Sequence, residues 1–366
     1  MKIHNITIYR YSIPMEPFTI ATGTMHFAQN ILIKIFTDEG IIGWGECSAF
    51  PMIVGETQNT CFVMAKDFAK IWKGKDPLAI ESRLQELHQY TAGNYTIKSA
   101  FDMALYDIAA QYHQVPLYAF LGGTNHTIES DLTIGINTPE IMANNALAYA
   151  QRGIRCIKVK LGKKIEEDIE RIEAIRNAIG TEITLRIDAN QGWTPTDAKN
   201  ILQALASFKI EFCEQPMAKF NDDLLPLLCA TSPIPIMADE SVFTWQDAAR
   251  IIRTKSCHYI NIKFAKSGGI LEAKAIHQLA AEQGIPCMMG GMLESRLALT
   301  AMVHFAVANN NIKFFDLDTC IIGHLEDPVL NGVHYENGLQ LTAPNLPGIG
   351  AQVDETYLST LENISI

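Results

Sequence analysis

Charged residues close a succession of short apolar runs in the middle of this chain: Lys158 and Lys160, then Asp188, Glu214, Asp239 and Lys263, followed by Glu294 and the pair Asp316/Asp318. One acid at the end of a strand is ordinarily a turn former or a helix cap. A series is harder to dismiss, since desolvating charge at each strand end costs free energy unless something answers it. Asp188, Glu214 and Asp239 end three consecutive runs, so their carboxylates are expected to converge. Three unpartnered carboxylates would repel one another, and a hard divalent cation relieves this; an all-oxygen set favours Mg²⁺ or Mn²⁺ over Zn²⁺.

Lys158 and Lys160 sit at i and i+2 and share one face of their strand. At ~7 Å and an effective dielectric of ~20 their repulsion is about 2.4 kcal/mol, enough to lower one lysine toward the range of a general base. Lys263 ends a run four repeats further on, on the far side of any closed ring. Lysines facing each other across a bound carboxylate can remove a proton from one face of a carbon and return it to the other. Lys266, three residues beyond Lys263, competes with it for that role. Ser267-Gly268-Gly269 could cradle an anion but reads more simply as a strand-to-helix turn. The ten histidines have no ligand spacing, and His304 in AMVHFAV reads as a packed helix residue.

The elements that would position these groups follow from periodicity. Period-2 runs at 3–9, 30–36 and 41–46, then helical patterns at 57–72, 77–90 and 97–111, suggest an α+β unit. From about residue 130 the rhythm becomes β-rich runs alternating with helices, at 131–137, 156–160, 183–188, 211–214, 234–239, 259–263, 286–291 and 313–316. Their ends are spaced 23, 28, 26, 25, 24, 28 and 25 residues apart, the cadence of an α/β barrel of eight βα steps. A doubly wound sheet would carry a glycine phosphate fingerprint, and neither G-x-G-x-x-G nor G-x-x-x-x-G-K-[ST] occurs. The expected divisions are 1–125 (capping), 126–325 (barrel) and 326–366, a Gly/Pro/Asn-rich tail returning to the first unit.

The 366 residues are 48% hydrophobic and 19% charged, enough for large cores, and carry a net charge of −11. A net anion without a basic block is a poor partner for nucleic acid or an anionic membrane surface. The start has no apolar signal core, and eight scattered cysteines read as reduced thiols. A cytoplasmic protein is expected, and a homo-oligomer is compatible with the chain.

KVK at 158–160, DANQGW at 188–193, EQP at 214–216, ADES at 238–241 and NIKFAKSGG at 261–269 together resemble the enolase superfamily, muconate-lactonizing subgroup. The resemblance covers nearly the whole chain. It implies a modified (β/α)7β TIM barrel with an α+β capping domain, Asp188, Glu214 and Asp239 as Mg²⁺ ligands, and Lys160 and Lys263 as paired acid/base residues assisted by Lys158. FFDLDTC at 314–320 resembles the Asp-x-Asp of dipeptide epimerases, implying an isomerase in which Asp316 and Asp318 hold a substrate α-ammonium group. Gly291, Met292 and Leu293 resemble the segment that flanks the dipeptide. Ala-Glu epimerases carry an arginine in the loop after Pro17-Phe18, where this chain places Gly23 and has no Arg or Lys in PFTIATGTMHF. Ile20, Met25 and Phe27, with Phe50, Met52 and Ile53 from the next loop, therefore suggest an L-Ala-X dipeptide with apolar X. A cationic X, met by Glu56, is the next expectation. Ala-Glu epimerisation and an o-succinylbenzoate synthase or muconate cycloisomerase type of reaction are the remaining alternatives.

Overall fold

A computed structural model describes residues 1–366. Its N-terminal part is an antiparallel sheet of Ile3–Ile20, Gly23–Thr37 and Ile42–Ser48, covered by the helices Gln58–Trp72, Ile80–Tyr90 and Tyr95–Tyr112. One core forms between them from the inward isoleucines of the sheet (Ile6, Ile8, Ile31, Ile33) and Phe68, Trp72 and Phe101 of the helices. The tail comes back to this sheet: Asn363–Ser365 pairs antiparallel with the first strand, Thr7 opposite Ser365.

The first two strands run much further than the periodicity of their ends suggested. Ile20 pairs with Gly23 and Thr19 with Thr24, so the stretch read as a loop is the tip of a long hairpin, bulged between Pro14 and Phe18. Thr19, Ile20 and Thr24 are β-branched and suit an extended pair. The arm docks across the barrel: Ile136 N–H donates to Thr19 O at 2.8 Å, and Leu325 N–H to Pro14 O at 2.9 Å.

Eight parallel strands form the second part, with neighbours in chain order: Leu132–Ile134, Cys156–Lys160, Thr184–Asp188, Ile210–Glu214, Ile236–Ala238, Tyr259–Ile262, Cys287–Gly290 and Ile312–Asp316. Each of the seven intervals between them holds a helix, the sixth with the short Phe264–Ser267 before the longer Ile270–Glu282, and no such helix follows the eighth strand, giving the (β/α)7β order. The ring closes between strands eight and one through Asp131 N–H to Phe315 O at 3.0 Å and Leu317 N–H to Ser130 Oγ at 2.8 Å. Phe212, Met237 and Met288 fill the barrel floor. No helix is long and apolar enough to cross a membrane.

Candidate active site

Parallel register aligns the charged strand ends. Lys160 lies opposite Asp188, and Asp188 opposite Glu214, while Asp239 and Lys263 directly follow strands five and six. Alternation then turns Lys158, Lys160, Asp188 and Glu214 into the barrel. Lys160 ends strand two and Lys263 directly follows strand six of eight, so they stand on opposite walls.

On the floor, the Arg186 guanidinium lies 5.2 Å from the ring centres of both Phe212 and Phe314 and pairs with Asp131 at 2.8 Å and Glu211 at 2.7 Å. Above it, the wholly buried Lys158 ammonium lies 2.6 Å from Glu214 Oε2, 2.7 Å from Asp316 Oδ2 and 3.3 Å from Asp188 Oδ2. At the mouth, Lys160 meets Asp188 Oδ2 at 2.6 Å and Lys263 meets Asp239 Oδ2 at 3.0 Å. Lys266 does not point across the barrel. It pairs with Asp239 and donates to the carbonyls of Asp239, Asn261 and Val242 at 2.6, 3.1 and 3.2 Å, which makes it a brace.

The expected lowering of a lysine pKa by the Lys158/Lys160 repulsion does not occur at Lys158. Burial pulls it down, but Asp316, Glu214 and Asp188 outweigh burial and hold it well above the usual lysine range. Lys263 is raised in the same way, by Asp239 and Glu214 against burial. The repulsion argument left out the carboxylates that the barrel brings to each ammonium.

Asp188, Glu214 and Asp239 are fully buried at adjacent strand ends, but they do not meet at one point: lysine ammonium groups stand between them. Glu214 Oε2 and both carboxylate oxygens of Asp239 have no hydrogen bond of good angle, so their contacts with the ammonium groups are ionic and undirected. Hard oxygen donors without directed partners suit a divalent cation. The carboxylates that do approach within 4.8 Å of one another are Asp131, Asp316 and Asp318. Asp131 is answered by Arg186 and Asp316 by Lys158, whereas Asp318 Oδ2 accepts only Thr133 N–H at 2.6 Å and its Oδ1 has no partner. Burial, then the neighbouring Asp316, pushes Asp318 up to about 7. Two acceptor oxygens, Asp131 Oδ1 and Asp318 Oδ1, are thus left over in this buried corner, and only the second belongs to a carboxylate without a cationic partner. Asp131, Arg186 and Asn261, which donates to Glu214 Oε1 at 2.7 Å, were not singled out in the sequence. For Arg186 a signal existed, since it lies two residues before Asp188 on the same strand face.

Between the hairpin, the Phe50–Met52 turn and Leu293, which follows strand seven, a cavity of about 270 Å³ is lined by residues that include Met25, Phe27, Phe50, Met52, His26 and Gln29. Ile20 and Ile53 lie outside its lining; Ile20 is buried in the core and Ile53 packs, partly buried, against it. A Cβ on Gly23 would come 2.9 Å from Met52 Sδ, so the thioether already occupies the space a longer side chain would need. Gly291 N–H donates to Asp316 O at 2.7 Å and Met292 N–H to Glu294 at 2.5 Å, while Leu293 O accepts Asn30 Nδ2 at 3.0 Å. Glu56 does not reach this cavity. It turns into the capping helices, accepting Thr96 N–H at 2.8 Å, which removes the basis for expecting a cationic residue beside it.

Asn30 also donates to the buried Glu46 at 2.7 Å, and Glu46 accepts Ser295 N–H, Ser295 Oγ–H and Ala298 N–H at 2.8, 2.6 and 3.2 Å. This capping-domain carboxylate thereby closes the N-terminus of the barrel helix Arg296–Ala308, immediately after Gly291–Leu293. The Ser267-Gly268-Gly269 turn is occupied in the same manner: its anion is the chain's own Asp102, whose oxygens accept Ile270 N–H at 2.5 Å and Leu271 N–H at 3.1 Å.

Comparison with known proteins agrees with this architecture. Residues 3–122 match the mandelate racemase/muconate lactonizing enzyme N-terminal domain, and 141–357 the enolase C-terminal domain-like family. The chain is 41% identical, over the full length of both, to the D-Ala-D/L-Ala epimerase of Cytophaga hutchinsonii. The crystal structure of the dipeptide epimerase from that organism, complexed with Mg and D-Ala-L-Val, superposes with a TM-score of 0.98 over 100% of each chain. The L-Ala-D/L-Glu epimerase of Bacillus subtilis is 39% identical over 96% of each chain. The hydrophobic dipeptide epimerase of Enterococcus faecalis is 38% identical over 96% of this chain and 99% of its own. The chain belongs to the mandelate racemase/muconate lactonizing enzyme family of the enolase superfamily.

Proposed function

We propose that the protein is an Mg²⁺-dependent epimerase of L-Ala-X dipeptides, acting at the α-carbon of the second residue, with X apolar. The observation that carries this reading is the pair of lysines, Lys160 and Lys263, on opposite walls of a buried, carboxylate-lined barrel mouth. Asp188, Glu214 and Asp239 would hold the cation, with Mn²⁺ as a substitute; when bound it supplies Lewis-acid stabilisation of the charge that builds on the substrate carboxylate. Lys160 takes the α-proton on one face and Lys263 delivers a proton on the other, with the roles exchanged in the reverse direction. Lys158, beneath them, keeps positive charge near the carboxylate. Asp318 and Asp316 accept N–H bonds from the substrate ammonium, which a lactone or a succinylbenzoate does not carry. The apolar lining of Met25, Phe27, Phe50 and Met52 supports an apolar second residue, and Met52 against Gly23 replaces the cation that a glutamate would need. The eight thiols are all unpaired, in keeping with a cytoplasmic enzyme.

The test is a mass-spectrometric screen of L-Ala-X mixtures in D₂O with Mg²⁺. Deuterium is expected in the second residue of apolar members. Uptake chiefly into Ala-Glu would refute the specificity, and a D-Ala-first preference would refute the L-Ala assignment. No uptake into any dipeptide would refute the epimerase and turn attention to cycloisomerase and synthase substrates.

A further inference from the structure

The two opposed lysines are braced differently. The turn after Lys160 is held from within the barrel: Gly162 and Lys163 N–H donate to Asp168 Oδ2 at 2.9 and 3.1 Å, and Arg171 and Trp193 fix Asp168 in turn. The hairpin adds no hydrogen bond but that of Ala21 O, which accepts the exposed Lys163 ammonium, and packs Ala21 Cβ where a Cβ on Gly162 would come within 2.8 Å.

The turn after Lys263 is held from the barrel through Lys266 and, in addition, from the capping domain. Lys263 O accepts Lys266 N–H, Ser267 N–H and Ser267 Oγ–H at 3.0, 3.1 and 3.0 Å, folding the short helix Phe264–Ser267 directly onto the lysine backbone. That helix is gripped at two points by Tyr95–Tyr112. Thr96 Oγ donates to Ala265 O at 3.0 Å, and Asp102 takes the amides of Ile270 and Leu271 just beyond it. The approach is too close for a side chain at Gly269, where φ is +117° and a Cβ would lie 2.3 Å from Asp102 Cγ. Asp102 is fully buried, and these two amides are its hydrogen-bond partners.

We propose that Asp102 is a positioning residue for Lys263 alone: through the Ile270 and Leu271 amides and the Phe264–Ser267 turn, it sets where that ammonium stands relative to the α-carbon. The proposal rests on the two-base reading above. If each epimer of the substrate loses its α-proton to the lysine facing it, a displaced Lys263 weakens exchange from one epimer and spares the other. A purely structural cap would weaken both alike. The step balances as a proton exchange: the free amine takes the α-proton, exchanges it with D₂O, and returns a deuteron to the same face.

The experiment measures α-deuterium uptake, before inversion, into each epimer of an apolar L-Ala-X dipeptide with Mg²⁺, using the full chain. Lys263→Ala identifies the epimer that depends on Lys263. Asp102→Asn is expected to slow exchange of that epimer by about tenfold or more while the other changes by less than about twofold, since displacements of ~1 Å carry penalties of that order or larger. Thr96→Val, which keeps the carboxylate cap, should show the same asymmetry at about threefold and serves if Asp102→Asn does not fold. Equal losses on both epimers, or unchanged rates, would overturn the proposal while leaving the epimerase reading intact. No exchange by the unmodified protein would overturn both.

Discussion

Lys160 and Lys263 are chemically alike, and only their walls distinguish them. Replacing either by Ala should abolish epimerisation, a fall of at least about 10³-fold given what a positioned acid or base contributes. Each variant should still exchange the α-proton of the single epimer that faces its remaining lysine; near-normal turnover in either would sink the two-base scheme. At the other end of the substrate, Asp318 is the carboxylate of the acidic corner that no cationic side chain answers, and its buried Oδ1 has no partner. Asp318→Asn should raise KM for free dipeptides by about tenfold or more, the worth of a charge-assisted hydrogen bond, with a smaller change in kcat. Saturation kinetics on a dipeptide and its N-acetyl derivative check this, since the derivative has no ammonium to lose.

At the scale of elements, the hairpin tip and the Pro51–Val54 turn meet as one specificity unit in which Met52 fills the space above Gly23. Gly23→Arg alone should therefore cost apolar activity without gaining Ala-Glu activity, because the new side chain meets the thioether. Combined with Met52→Ala, it should gain Ala-Glu turnover beyond the product of the two single effects. A double-mutant cycle on kcat/KM for Ala-Glu and an apolar dipeptide reads the coupling. Beneath that unit, Glu46 joins the capping sheet to the barrel helix Arg296–Ala308. Glu46→Ala leaves several buried donors without acceptors and should lower stability by about 2–4 kcal/mol in urea denaturation.

For the whole molecule, His304 is where three stretches of chain join: it sits in a barrel helix, its Nδ1 accepts Tyr118 N–H at 3.1 Å from the connection to the capping domain, and its Nε2 donates to Ile349 O in the tail at 2.9 Å. Burial lowers it to about 4, against the Ile349 contact. Below its ordinary value near 6.5 the unfolded chain takes up a proton that the folded chain refuses, so stability falls from pH 6.5 to pH 4. The loss should reach about 3 kcal/mol by pH 4. His304→Asn should be less stable at pH 7 and lose less on acidification than the unmodified chain; an identical pH slope would contradict the assignment. Metal supplies a second global lever. Mg²⁺ at ~100 times its dissociation constant should stabilise the fold by about 2.7 kcal/mol, and EDTA should reverse this. Thermal unfolding with and without Mg²⁺ measures it, and Asp239→Asn should erase the difference.

The barrel and the charged ends of its strands were legible in the chain because both are local: a strand alternates with period 2, a βα step has a typical length, and the residue ending each run can be read directly. Tertiary structure alone decided the neighbours. Lys158 is raised instead of lowered because Asp316, 158 residues away, closes onto it across the barrel. Asp131 and Arg186 became part of the site only when strand eight met strand one. Ile20 and Ile53 left the cavity, Glu56 turned away from it, and the glycine turn found its anion in Asp102, because a hairpin and a capping helix dock from outside the repeat. Electrostatics and packing act over a few ångströms of space, and sequence distance carries no information about that.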